Sequence, residues 1–131
     1  MSRVTLNIRQ IEMYRAESAD LPTYFSEFQA QFGRGADLLR VAKLDGRIVA
    51  AYALTSAVAP RGYFGLNWLA VLPDLRRQGI GRWVAGHAMG VAESKSGSGL
   101  VVNHDEPLEF LHKLGFRADV NYSWRLEFLP E

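Results

Sequence analysis

The sequence predicts an α/β fold: one mixed, mostly antiparallel central sheet with helices on both faces. Three observations carry this expectation. Strand-like and helix-like segments run in the order strand, helix, three strands, helix, strand, helix, then one or two strands, which suits a sheet covered by helices. Two apolar segments flank Asp45-Gly46, a dipeptide that favours the tight turn of an antiparallel hairpin. The stretch Leu69 to Trp83, LAVLPDLRRQGIGRW, reads as a strand, a turn at Pro73-Asp74, a basic glycine-bearing loop and a helix.

Each element follows from its residue pattern. Val4 to Gln10 reads as a first strand. Asp20 is placed to cap a helix that has Pro22 in its first turn. Leu21, Tyr24, Phe25, Phe28 and Phe32 then fall on one apolar face at helical spacing. Leu38 to Leu44 and Arg47 to Thr55 form the hairpin, and Tyr63 to Val71 the next strand. The helix after the glycine loop turns Ile80, Trp83, Val84 and Val91 inward, with His87 on that face as a packed histidine. Ser94 to Gly99, SKSGSG, reads as a surface turn, and Leu100 to Val102 as a short buried strand. Glu106 to Leu114 reads as a helix, capped by Asp105 and Glu106 near Pro107 and ended by Gly115. Ser123 to Phe128 alternates, with Trp124, Leu126 and Phe128 on one face and Arg125 and Glu127 on the other.

Composition narrows the function. The 131 residues predict one domain, 1–131, long enough to bury a core. A net charge of +1 argues against nucleic acid as a partner, because no general basic excess exists to displace counterions. The positive charge is local: four arginines lie from Arg61 to Arg82. Cysteine is absent, which removes disulfides and a cysteine acyl-enzyme. The N-terminus, MSRVTLNIRQ, is too polar for a signal peptide, and no apolar run approaches the roughly 18 residues of a membrane helix. The expected location is the cytoplasm, with no membrane partner. Glu109 and His112 form a single E-x-x-H, too few ligands for a metal centre, so no metal is expected. Tyr14, Tyr24, Tyr63 and Trp68 read mainly as core or sheet-face packing, with an acceptor pocket as the other role open to them.

The loop carries the chemistry. Arg76, Gly79 and Gly81 fit the spacing Q/R-x-x-G-x-G/A. A helix N-terminus offers free N–H groups and about half a positive charge, and glycine lets a phosphate approach the backbone. Arg76, Arg77 and Arg82 add donors that match phosphate oxygens. A dinucleotide G-x-G-x-x-G is excluded because Val84 stands three residues after Gly81. A nucleotide P-loop is excluded because no glycine precedes Lys and then Ser or Thr.

On these residues the chain resembles the GNAT superfamily, the acyl-CoA-dependent N-acyltransferases. Phe110 to Phe116, FLHKLGF, is similar to that family's F-Y-x-x-L-G-F segment, so the likeness spans roughly residues 40 to 128. The resemblance implies acetyl-CoA as cosubstrate and a sheet splayed open between the strand before the loop and the next parallel strand. It implies pyrophosphate contacts from Arg76, Arg77, Gln78, Gly79, Ile80, Gly81 and Arg82, and contacts to the pantetheine arm from the strand Leu69, Ala70 and Val71. His104 stands where some members place an asparagine on that arm, with Asn103 just before it. The implied reaction moves acetyl to an amine, by direct attack in a ternary complex. The expected partner is a small-molecule or peptide amine; a homodimer contact or a protein partner stays open.

The chain departs from the family at three points. Leu111 replaces the tyrosine that protonates the leaving thiolate, and Gly65 and Asn67 stand where a glutamate base is usual. Asn67 could still orient a water or the acceptor. His104, directly after Leu100 to Asn103, is the candidate base, because an imidazole of pKa about 6.5 suits that work. Tyr122 is the candidate proton donor to the thiolate. The missing tyrosine and glutamate and a short N-terminal half also suit a rival, a non-catalytic acetyl-CoA-binding regulator of a partner protein.

Overall fold

Seven strands form one sheet in the computed structural model, which describes residues 10–58, 62–103, 113, 115–118 and 123–128. Along the chain these are β1 (Glu12–Arg15), α1 (Thr23–Phe32), β2 (Leu38–Leu44), β3 (Arg47–Val58), β4 (Tyr63–Val71), α2 (Ile80–Ser94), β5 (Gly99–Asn103), β6 (Arg117–Ala118) and β7 (Ser123–Glu127). The sheet order is β1-β2-β3-β4-β5-β7-β6. Every neighbouring pair is antiparallel except β4 and β5. Among the described residues, no helix is long and apolar enough to cross a membrane.

The hairpin from β2 to β3 turns where Asp45 and Gly46 both take left-handed φ, at 52° and 79°. Those signs match the twist of two paired strands. β3 lies between β2 and β4 and is buried on both faces from Val49 to Leu54. Ala50, Tyr52 and Leu54 pack toward α2, with Ile80, Val84 and Ala88. Ala51 and Ala53 pack toward α1, with Phe25, Val41 and Trp68. The helices therefore cover opposite faces, as the sequence pattern predicts.

Several local expectations need correction. Asp20 does not cap α1; it ends a separate 3-10 turn, Ser18–Asp20, and Pro22 is the residue before the helix. Proline supplies a suitable φ there without an N–H to satisfy. Phe32, on the expected apolar face, is 46% exposed at the last turn of α1. β3 runs three residues past Thr55, to Val58. Trp83 is 36% exposed while Ile80 and Val84 are buried, so the inward stripe of α2 is narrower than its apolar residues suggest. β1 lies just after the expected first strand; residues 4–9 of that expectation, and the expected helix 106–114 apart from Lys113, lie outside the described residues.

Gly99 holds the junction where β5 meets both neighbours, pairing with Tyr63 of β4 and Glu127 of β7. A Cβ there would strike the Leu126 carbonyl oxygen and come within 2.7 Å of the Tyr63 ring. Gly99→Ala should therefore cost about 1–3 kcal/mol through overpacking. The urea midpoint checks this, and an unchanged midpoint would contradict it.

Candidate functional site

β4 and β5 pair only at Tyr63↔Gly99, Phe64↔Leu100 and Gly65↔Val101. β4 continues to Val71 with no strand paired on that side among the described residues, so the sheet opens after Gly65. The Leu72 N–H donates to the Val49 carbonyl at 3.0 Å, toward β3. Strand alternation then directs the N–H of Ala70 toward β3 as well, and those of Leu69 and Val71 to the open edge. The Ala70 side chain packs toward α1 and lines the cavity beside the loop.

A bulge re-aims β4 within the opening. Ala53 pairs with Trp68 and Leu54 with Leu66, leaving Asn67 as the extra residue. Leu66 consequently packs toward α2 while Trp68 packs toward α1. Asn67 is fully engaged. Its Oδ1 accepts from the Thr55 hydroxyl at 2.7 Å, and its amide donates to the Phe32 carbonyl at 3.2 Å. It ties the end of α1 to the sheet while lining a cavity at the opening.

The loop after β4 begins with a 3-10 turn, Pro73–Leu75, and ends at Gly79, where φ is 84°. Arg77 also takes a left-handed φ, 64°. A non-glycine residue there costs roughly 1–2 kcal/mol, a strain typical of ligand loops. Backbone turned left-handed at Arg77 and Gly79 and followed by the free N–H groups of α2 makes a concave anion cradle. A cavity of about 390 Å³ joins it to the open edge, lined by Phe28, Leu69, Ala70, Val71, Arg76, Arg77 and Gly81. Gln78 and Arg82 are exposed beside it, whereas the Ile80 side chain is buried in the core, leaving only its backbone to the loop.

Sequence reasoning gave Tyr24 no part in this loop. An Arg76 Nη donates to the Tyr24 hydroxyl at 2.8 Å, and that hydroxyl donates to the Val71 carbonyl at 3.4 Å. The Tyr24 ring packs edge-on against Phe25 and Phe28. Helix α1 thereby fixes Arg76 over the open edge. No local pattern signals a contact between residues 52 positions apart. If Tyr24 aims Arg76 at phosphate, Tyr24→Phe and Arg76→Ala each weaken acyl-CoA binding. The double variant should lose less than the sum, with a coupling of about 0.5–3 kcal/mol by calorimetry. Additive losses would separate the two residues.

A second cavity, about 480 Å³, sits where the sheet opens, lined by Gln31, Phe32, Thr55, Gly65, Asn67 and Val101 among others. None of the described residues lining it is titratable. Asn103 ends β5 beyond the last β4–β5 pair, its backbone paired with Ser123. His104 and Tyr122 lie outside the described residues. His87 is remote from the opening and half-buried; its Nδ1 lies 2.7 Å from the hydroxyl of the buried Tyr52. Burial, then the nearby Arg40, lower its pKa, so the imidazole is neutral. Among the described residues, no three His, Cys, Asp or Glu side chains gather to hold a metal.

A family model described as "Acetyltransferase (GNAT) family" matches residues 5–116. The chain belongs to the GNAT acetyltransferase family. Solved GNAT structures share its fold. A GNAT family acetyltransferase from Elizabethkingia anophelis, with acetyl-CoA bound, is 17% identical, with TM-score 0.72 over 91% of this chain and 99% of that one. One from Brucella melitensis, in complex with acetyl-CoA, is 20% identical, with TM-score 0.68 over 92% and 90%. An IAA acetyltransferase from Bacillus cereus is 22% identical, with TM-score 0.68 over 83% and 78%. No curated protein sequence matches significantly.

Proposed function

We propose that this GNAT chain moves an acetyl group from acetyl-CoA to an amine by direct attack in a ternary complex. One observation carries the reading: the unpaired β4 edge runs straight into a left-handed, arginine-bearing loop at the N-terminus of α2. The residues fit acetyl-CoA. The N–H groups of Leu69 and Val71 suit the amide-bearing pantetheine arm. The loop backbone at Arg77, Gly79 and Gly81, with Arg76 and Arg82, suits the diphosphate. An N–H of the open edge polarises the thioester carbonyl. The amine nitrogen bonds to that carbon, the C–S bond breaks, and the thiolate leaves with a proton from solvent or from Tyr122. The amine proton passes to His104, directly or through one water.

A second reading has its own support. The cavity at the opening has no titratable group among its described lining, and the amide of its Asn67 is hydrogen-bonded to Thr55 and the end of α1. A non-catalytic acetyl-CoA-binding regulator would need no base there. Turnover of acetyl-CoA with a panel of amines separates the readings, since the regulator captures a protein partner with acetyl-CoA and acetylates nothing. For the enzyme, initial-rate lines in reciprocal plots should intersect, because no cysteine exists to carry the acetyl group. Parallel lines, or acetylated protein isolated without acceptor, would contradict direct transfer.

A further inference from the structure

Arg15 and Arg40 stand directly opposite each other on β1 and β2. Like charges in that position oppose strand pairing. The same ladder places Glu12 opposite Lys43, so opposite charges are matched at its other end. Lys95, just past α2, completes a trio of cations around a hollow of about 310 Å³. His87 and Ser94 of α2 and Tyr14 of β1 share the wall, and none of the described residues lining it is acidic. Two carboxylates, Glu17 and Asp37, line an adjoining hollow with the same three cations. Asp37, however, takes its hydrogen bonds from the backbone and hydroxyl of Ser56, and those bonds, helped by Lys95, lower its pKa. Glu12 accepts from the Tyr14 hydroxyl. Among the described residues, no ion pair joins Arg15, Arg40 or Lys95 to a carboxylate.

We propose that this hollow binds a compact polyanion, a phosphate or a di- or tricarboxylate, through Arg15, Arg40 and Lys95. An anion with several acceptor oxygens removes the repulsion between the paired arginines and answers donors on three sides. His87 supplies one more. Its Nδ1 lies 2.7 Å from the Tyr52 hydroxyl, which burial keeps protonated, and when that hydroxyl donates the neutral ring carries its proton on Nε2. The groups facing that ring are Tyr52, Trp83 and Arg40, and none is an acid. The site shares no residue with the loop at Arg76 to Arg82, so it stands whether or not the chain acetylates an amine.

The test is an NMR titration of the His87 ring in the full chain, with inorganic phosphate in one arm and citrate in the other. Sodium chloride holds the ionic strength constant. The proposal expects a saturable shift of the His87 signals in at least one arm, and a rise in the His87 pKa at saturation. Saturation by phosphate alone assigns a phosphate ligand, and saturation by citrate alone a polycarboxylate. Arg40→Gln should weaken binding at least tenfold, since a charge-assisted hydrogen bond is lost. If that variant does not fold, the exposed Arg15→Gln replaces it with the same expectation. Arg76→Ala should leave the titration unchanged. A linear, unsaturated drift in both arms, or equal affinity in the arginine variant and the native chain, would overturn the proposal.

Discussion

Gly79→Asp abolishes the thermal stabilisation that acetyl-CoA gives the native chain. A ligand at 100 times its dissociation constant adds roughly 2.7 kcal/mol, a rise of several degrees in melting temperature. Gly79 is the last residue before α2 and has a φ of 84°. Aspartate there brings a Cβ and a negative charge to the cradle proposed for two phosphates. The left-handed backbone also costs the substituted chain roughly 1–2 kcal/mol without ligand. The comparison is therefore the ligand-dependent shift in each protein, not the melting temperature itself. Gly79→Ala carries the backbone cost without the charge, and should keep part of the shift. An undiminished shift in Gly79→Asp would remove the loop from the acetyl-CoA site.

His104→Ala should lower turnover at neutral pH by about 10²–10⁴-fold, the usual contribution of a positioned base. His104 is next in sequence to Asn103, the last residue of β5, and β5 is the strand that parts from β4 after Gly65. The described lining of the cavity at the opening supplies no other base. The deficit should shrink as pH rises, because more of the amine is then free without help. Acetyl-CoA affinity should hardly change. Near-native turnover at neutral pH would exclude His104 and favour a chain of waters. Loss of acetyl-CoA binding would instead place it against the cosubstrate.

What was legible in the sequence was whatever local chemistry dictates. β2 and β4 begin and end where the apolar pattern does, and the Asp45-Gly46 turn follows from the φ values it demands. The glycine loop was readable because Gly79 and Gly81 are costly in a helix without a reason. The bulge at Asn67 was not readable. Alternation along β4 looks unbroken, and only the pairing with β3 shows that one residue is extra. The Tyr24–Arg76 contact and the Tyr52–His87 pair join distant segments, so neither leaves a periodic trace. Asn67 kept an acceptor role open because its partners, Thr55 and the end of α1, become neighbours only in the folded chain.

The three-residue seam between β4 and β5 also bears on how the molecule comes apart. Among the described residues, β5, β7 and β6 share ladder hydrogen bonds with the other four strands only across that seam, while α2 packs on β3, β4 and β5. A block joined by so few backbone bonds is suited to open as a unit, at a lower free energy than global unfolding. The two blocks then act as separate cooperative units clasped by α2. A ligand spanning the gap would add a second clasp, and unfolding that runs in two steps in the free protein would merge into one.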